Sequence, residues 1–310
     1  MYIKKNTMLA PRTMLVLSIA LVSCILYQQY KRSELNFDER EQYRFAQEYF
    51  IGDDNIHARK PYLWIHAQGE LNARNWESFG SRSSTKLNQP YLYLTIKSIA
   101  DRCKESFNVF LIDDESFAKL VPGWSVQMDL LPSPLKERYR QFGLTSLLYE
   151  FGGVTVPAST LCLHDMQSLF KSSLVKNDAF SIETAVDLPD PKFMGSAKKG
   201  DAIKKFRDVQ GDLLKKDLTA ETDFARTLGA WCKANTLVVC GRNVGARKVC
   251  GSSVDLSELL GKNEVPFAES MCCMYLPADE ILKRPKYAWF ARMAVEQITS
   301  SDLMIAKYIF

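Results

Sequence analysis

The sequence has few of the residues on which most metal and redox sites depend. It contains 3 histidines among 310 residues, so a site built from several histidines is nearly excluded. Its 8 cysteines never occur in the C-x-x-C spacing of zinc knuckles and redox motifs. Scattered cysteines are most often small buried hydrophobic residues, and one or two disulfides are compatible with an oxidising compartment.

The chain also lacks a large charge imbalance and an N-glycosylation acceptor. Lys and Arg total 40 against 36 Asp and Glu, and this even balance argues against a nucleic-acid partner. No Asn is followed two positions later by Ser or Thr, which disfavours long passage through the secretory pathway. With 46% hydrophobic and 25% charged residues, the composition is that of an ordinary globular protein.

One uncharged apolar run, residues 14–27, lies between basic residues near the N-terminus. A single-pass anchor over 13–30 fits these flanks, with a basic tail (1–12) inside, a stalk helix (31–55) beyond it and the lipid bilayer as partner. The run is shorter than a full span unless polar flanking residues are included. A cleaved signal peptide, a lipoprotein signal ending at Cys24 and a buried helix are the alternatives.

The rest of the chain, 56–310, alternates short apolar runs with amphipathic segments. Strands are predicted at 62–66, 108–112, 154–156, 179–184 and 192–196, and helices at 91–103, 135–151, 201–214, 222–232, 279–281 and 287–295. Strands joined by helices predict an α/β fold with a mostly parallel sheet. No repeat or change in composition divides this region, which predicts a single domain.

The junction Leu147-Leu148-Tyr149-Glu150-Phe151-Gly152-Gly153-Val154 resembles one in capsular polysaccharide synthesis proteins and related glycosyltransferases with a DXD motif. Residues 62–66, 110–114 and 193–200 resemble further segments of that family in the same order. The resemblance implies a single, Rossmann-like GT-A domain that binds a nucleotide-sugar at the carboxyl ends of its strands. An antiparallel sandwich, or a second core beyond residue 215, would contradict this GT-A assignment.

The sequence departs from the family where the metal would be held. The family has Asp shortly after Gly-Gly, whereas this chain has Pro157 there and no acid before Asp165. The family's Ser-Asp-x-x-Arg motif on the preceding helix is also absent. We therefore expect no cofactor and no tight Mn²⁺ or Mg²⁺ site at this junction, and basic residues would have to meet the phosphate charge.

The resemblance, together with the need for basic residues near the phosphates, gives the candidate site residues. The expected nucleotide-sugar-binding residues are Trp64, His66, Arg140, Gly152, Gly153, Ser159 and Lys198. Asp113 and Asp114, at the end of the second predicted strand, are the candidate catalytic acids. A polar loop after a buried strand explains these two aspartates equally well.

A looser pattern, in which Gly-Gly is followed by an apolar pair, Pro157, a small residue and Ser159, resembles a divergent glycosyltransferase-like group of large DNA viruses. Members of that group tend to carry a short N-terminal anchor. Two functions therefore stay open. One is a membrane-anchored hexosyltransferase acting on a surface or virion glycan. The other is an inactive glycosyltransferase-like domain serving as a membrane-anchored structural or virion component.

Overall fold

The computed structural model describes residues 59–67, 89–216 and 221–309. The predicted tail, anchor and stalk, residues 1–55, lie outside these ranges. Among the helices that are described, none combines the length and the apolar character needed to cross a membrane.

The described strands form a large sheet and a small one. The strands are β1 (Tyr62–His66), β2 (Asn108–Ile112), β3 (Gly153–Pro157), β4 (Thr160–Cys162), β5 (Ala179–Ala185), β6 (Leu188–Ser196), β7 (Val238–Val239) and β8 (Cys273–Tyr275). The large sheet has the order β2-β1-β3-β6-β5-β7, and β4 pairs with β8. β1 is parallel to β2 and β3, β5 is parallel to β7, and β6 is antiparallel to β3 and β5. The expectation of a mixed α/β fold with a mostly parallel, Rossmann-like sheet is confirmed.

Helices connect and cover these strands. The helices are α1 (Tyr91–Cys103), α2 (Ser116–Leu120), α3 (Ser133–Phe151), α4 (Gln167–Ser173), α5 (Asp201–Leu214), α6 (Glu221–Ala234), α7 (Leu256–Leu259), α8 (Ala278–Lys283) and α9 (Val295–Thr299). The predicted helix 287–295 is wrong as a single element. Short 3₁₀ turns, Pro285–Tyr287 and Phe290–Arg292, replace most of it, and the extended backbone of Met293 separates them from α9.

The two faces of the sheet are covered by different helices, because successive strand residues point to opposite sides. Leu63 and Ile65 of β1 pack into a core with Ile99 of α1 and Leu169 of α4. Trp64 points the other way, where its ring lies 5.4 Å from that of Phe151 at the end of α3. α3 in turn packs against α5, and β6 packs against α6. The sheet is therefore the middle layer between two helix layers.

A second hydrophobic core lies mostly beyond residue 250. Phe290 and Met304 are fully buried in it, together with Tyr91 of α1 and Leu161 of β4. This second core contradicts the expectation of a single GT-A domain core, although the mixed α/β sheet itself agrees with the prediction. It is tied to the first because α1, β4 and β8 contribute residues to both cores. Sequence analysis did not predict this core because β4 and β8 are only three residues long and lie more than 100 residues apart in the chain.

Candidate functional site

A cleft opens at the carboxyl ends of β1 and β3. The chain passes from β1 to β2 through α1 and from β2 to β3 through α3, and these two helices lie on opposite faces of the sheet. Neighbouring strands whose connections leave on opposite faces leave a crevice outside their carboxyl ends, where α/β proteins bind ligands. His66 and Pro157, which are register partners at the ends of β1 and β3, both line this cleft.

The cleft is a cavity of about 170 Å³. A neighbouring cavity of about 240 Å³ shares five of its lining residues: Glu137, Gln141, Lys192, Tyr275 and Asp279. Pockets for drug-sized ligands usually measure roughly 300–1,000 Å³. The first cavity alone therefore suits a small ligand, and the two together offer room for an extended one.

Six ionisable side chains, which we call the charge row, run along the cleft: His66, Asp114, Arg140, Glu137, Lys192 and Asp279. His66 Nε2 lies 2.9 Å from Asp114 Oδ1. Arg140 joins Asp114 to Glu137, and Lys192 Nζ lies 2.6 Å from Glu137 Oε1 and 3.8 Å from Asp279 Oδ2. Acids and bases alternate along the row, so the cleft carries little net charge.

Arg140 is engaged by carboxylates at all three guanidinium nitrogens. Its Nε and Nη2 donate to the two oxygens of Asp114 at 2.7 and 2.6 Å, and its Nη1 donates to Glu137 at 3.2 Å. Burial opposes ionisation of Asp114, but hydrogen bonds from Arg140 and His66 outweigh it and hold the pKa of this carboxyl well below its usual range. A phosphate group would have to compete with two carboxylates for Arg140.

Glu137 and Lys192 stabilise each other's charge deeper in the cleft. Burial raises the pKa of Glu137, but the charges and hydrogen bonds of Lys192 and Arg140 overcome this effect and lower it. For Lys192 burial has the opposite sign and lowers the pKa, but the carboxylates of Glu137, Asp279 and Asp190 raise it above its ordinary value. Both groups therefore stay ionised near neutral pH. In that state each can form hydrogen bonds with a polar ligand.

Gln141 has a hydrogen-bonding atom without a partner. This residue lines both cavities and is 6% exposed, and its side-chain carbonyl oxygen accepts no hydrogen bond. A buried acceptor left unpaired costs about 1–3 kcal/mol, so native structures usually satisfy such groups with protein, water or ligand. This oxygen is itself shielded from solvent, so the part of Gln141 open to a ligand in the cleft is the rest of its side chain.

The structure brings four of the expected site residues to this cleft: Trp64, His66, Arg140 and Ser159. Trp64 lies beneath the cavity, fully buried, and its indole N–H donates to the carbonyl of Gly152 at 3.1 Å. The ring of His66 is stacked on that of Phe117, with centroids 5.6 Å apart.

The other three expected residues, Gly152, Gly153 and Lys198, lie at the opposite end of β3. Gly153 is the first residue of that strand, whereas the cleft is formed at its last. A Cβ on Gly152 would lie 2.7 Å from the backbone nitrogen of Lys198, so this glycine serves close packing of two backbone segments. The Gly-Gly junction thus shapes the sheet at the end away from the cleft.

The two candidate catalytic aspartates have different surroundings. Asp113 is bound to the first residue of α2, since its Oδ1 accepts hydrogen bonds from the backbone N–H and the hydroxyl of Ser116 at 2.9 and 2.6 Å. Asp114 belongs to the charge row, where it orients His66 and Arg140. Of the pair, Asp114 is therefore the one connected to the cleft.

Pro157, which replaces the family's first aspartate, lies in the cleft wall. Within the described ranges, no group of three or more His, Cys, Asp or Glu side chains is placed to hold a metal ion. The expectation that no tight Mn²⁺ or Mg²⁺ site exists here stays a prediction.

Sequence analysis missed several residues of the cleft: Glu137, Gln141, Lys192, Tyr275 and Asp279. One signal was available for α3, where Glu137, Arg140, Gln141 and Leu144 follow the i, i+3, i+4, i+7 spacing of a single helix face. No local signal identifies Lys192 or Asp279, because chain segments distant in sequence bring them to Glu137.

No protein-family model matches this chain, and no curated protein matches it either. Among solved structures the chain is similar to PaToxG glycosyltransferase. The likeness has a TM-score of 0.30 and 12% sequence identity, and it covers 68% of this chain and 81% of PaToxG. A likeness this weak does not decide the fold, so the Rossmann-like assignment rests on the sheet described above.

Proposed function

We propose that the protein is glycosyltransferase-like and binds the sugar part of its ligand in the cleft between β1 and β3. The observation that carries this proposal is the side chain of Gln141, which lines both cavities of a cleft whose charged groups are balanced. Sugars present many neutral hydroxyls, which donate to carbonyls and carboxylates and accept from Lys and Arg.

We propose a nucleotide-sugar as the donor, with a surface or virion glycan as acceptor. The cavity beside the cleft gives such an extended ligand additional room. Because Pro157 cannot ligate a cation, we expect any transfer to persist in EDTA.

Calorimetry of the full-length protein in detergent tests this proposal. The protein is titrated with UDP- and GDP-sugars, with and without Mn²⁺, and with the free nucleotides as references. We expect a sugar-dependent affinity that falls about tenfold in Gln141→Leu, since one hydrogen bond contributes about 1–1.5 kcal/mol.

Gln210→Leu is the matched control, because Gln210 is also buried with an unpaired side-chain amide but lines neither cavity. Equal loss of affinity in both variants would contradict a specific role for Gln141. Binding of the free nucleotides as tightly as the nucleotide-sugars would reject sugar recognition in the cleft.

An inactive, sugar-binding protein is the second candidate, and one observation favours it. Asp114 and Glu137 are held ionised by their ion pairs, and carboxylates with lowered pKa values are weak proton acceptors. Incubation of the full-length protein with the nucleotide-sugar that binds it and with a panel of oligosaccharide acceptors separates the two candidates. Released nucleotide shows turnover, whereas binding without release shows an inactive domain.

We further propose that residues 13–30 anchor the protein in a membrane, with the N-terminus inside, and that the body is displayed on a surface or virion membrane. The uncharged run and its basic flanks support this proposal. Alkaline extraction of membranes should leave the full-length protein in the pellet and release a variant that lacks residues 1–30. Release of the full-length protein would contradict the anchor.

A further inference from the structure

Four buried cysteine side chains come together where α1, β4 and β8 meet. Cys103 is the last residue of α1, Cys162 is the last of β4, and Cys273 begins β8 directly opposite Cys162. Cys272 precedes Cys273, and all four belong to the first core with exposures of 7% or less. Local sequence spacing does not indicate this cluster, since Cys103 and Cys162 are 59 positions apart.

Cys103 and Cys162 make the closest contact that this cluster shows between separate elements. Their sulfur atoms lie 3.7 Å apart. The backbones that carry them are already fixed, because the backbone N–H of Cys162 donates to the hydroxyl of Ser98 at 2.8 Å. One turn earlier in α1, the Thr95 hydroxyl donates to the carbonyl of Ala158 at 2.6 Å. The two sulfurs are therefore held as neighbours by contacts that do not involve sulfur.

We propose that Cys103 and Cys162 form a disulfide when the chain folds in an oxidising compartment. A small disulfide such as oxidised glutathione is the oxidant. The thiolate of one cysteine attacks it and releases one glutathione thiol, and the second cysteine then displaces the other glutathione from the mixed disulfide. The two cysteines lose two electrons and two protons, which the glutathione pair gains.

The competing pairs are less suited to this reaction. The thiol of Cys272 donates to the carbonyl of Asn243 at 3.4 Å and also interacts with the adjacent Cys273, but a disulfide between neighbouring residues would close a strained ring. Cys273 faces Cys162 across the β4–β8 ladder and is the main competitor for it. The contact with Cys103 and the burial of the site raise the pKa of the Cys162 thiol. Because protonated buried thiols exchange slowly, we expect the bond to form before the core closes.

The disulfide would fix one wall of the cleft. Leu92 and Ile96 of α1 line the cavity, as does Ala158, which precedes β4. A bond between the end of α1 and the end of β4 would close a loop containing β2, α2, α3 and β3. Closing a long loop restricts the unfolded chain most, so the oxidised protein should melt at a higher temperature.

The test compares the full-length protein refolded in a glutathione redox buffer with the same protein refolded in excess dithiothreitol. Free thiols are alkylated in denaturant, and proteolytic peptides are analysed by mass spectrometry. We expect two fewer free thiols in the oxidised sample and a cross-linked peptide pair that contains Cys103 and Cys162. We also expect its melting temperature to exceed that of the reduced sample.

Variants assign the bond. Cys103→Ser should remove the cross-link and the difference in melting temperature, whereas Cys232→Ser, a buried cysteine of α6 outside this cluster, should keep both. If Cys103→Ser fails to fold, the peptide analysis of the wild-type protein still shows which two cysteines are linked. A cross-link from Cys162 to Cys273, one between Cys272 and Cys273, or an unchanged thiol count after oxidative refolding would overturn the proposal.

Discussion

Glycine is required at position 153 because two backbones approach each other there. Gly153 has a φ of +96°, and a Cβ on it would collide with the carbonyl oxygen of Tyr62 in β1. Gly123 also has a positive φ, +74°, but a Cβ there would meet nothing within 4 Å. Alanine at position 123 would therefore test backbone strain alone, whereas alanine at position 153 would test strain together with a steric clash.

We expect Gly153→Ala to destabilise the protein by more than about 3 kcal/mol, because β1 and β3 must move apart. Gly123→Ala should cost only about 1–2 kcal/mol, the typical penalty of a left-handed conformation for alanine. Urea denaturation followed by circular dichroism measures both. Similar losses in the two variants would show that strain alone explains the Gly-Gly junction.

Asp114 contributes stability that depends on pH. Its pKa in the folded protein lies well below the value of about 3.9 expected in the unfolded chain, so folding favours the ionised form. This contribution is present above about pH 4 and is lost as the pH falls towards the lowered pKa. We expect Asp114→Asn to cost about 2 kcal/mol at pH 7, since it weakens charge-assisted hydrogen bonds to Arg140 and His66.

The measurement is the free energy of unfolding of both proteins between pH 3 and pH 7. The cost of Asp114→Asn should shrink as the pH falls below about 4, because the carboxyl of the unfolded chain takes up a proton there while that of the folded protein stays ionised. Asp101→Asn, on the exposed face of α1, is the control and should have little effect at any pH. A cost for Asp114→Asn that does not change with pH would contradict the ion-pair role.

Among the elements, α1 shows how polar side chains fix the position of a helix beside the cleft. Thr95 donates to the carbonyl of Ala158 at 2.6 Å, and Ala158 lines the cavity. Thr95→Val keeps the shape of the side chain but leaves that carbonyl without this donor. We expect a loss of about 1–2 kcal/mol in chemical denaturation and weaker binding of the sugar ligand.

Thr227→Val is the matched control, since Thr227 lies exposed on α6. It should change stability by less than about 0.5 kcal/mol, as expected of surface substitutions. Loss of stability in Thr95→Val without any change in ligand affinity would show that α1 supports the fold but does not shape the site.

The sequence predicted the regular elements around the parallel strands better than it predicted the site. Apolar runs located β1, β2 and β3, and the glycines located the end of α3, because these signals are local. Sequence analysis proposed His66 and Arg140 as site residues, and both line the cleft. It did not identify Glu137 and Lys192, which belong to the same row of charges. The ion pair between Glu137 of α3 and Lys192 of β6 depends on how this helix packs across the sheet. A short-range sequence pattern does not predict that packing.

At the scale of the whole molecule, the second core raises the question of whether the chain unfolds as one unit. In β4, Leu161 belongs to the second core and Cys162 to the first. In β8, Met274 belongs to the second core and Cys273 to the first. α1 likewise contributes Tyr91 to the second core and Ile99 to the first. Neither core can lose its packing without exposing residues on elements that the other core needs.

We therefore expect the two cores to unfold in one cooperative transition. Phe290→Ala removes a fully buried ring from the second core and should cost about 3–5 kcal/mol. If the cores are coupled, this variant should shift the whole urea transition to lower denaturant, with the same midpoint by tryptophan fluorescence and by circular dichroism. Phe107→Ala, which removes a ring from the first core, should shift the transition in the same manner. Two separate transitions, with only one of them moved by Phe290→Ala, would show instead that the C-terminal core folds independently of the sheet that carries the cleft.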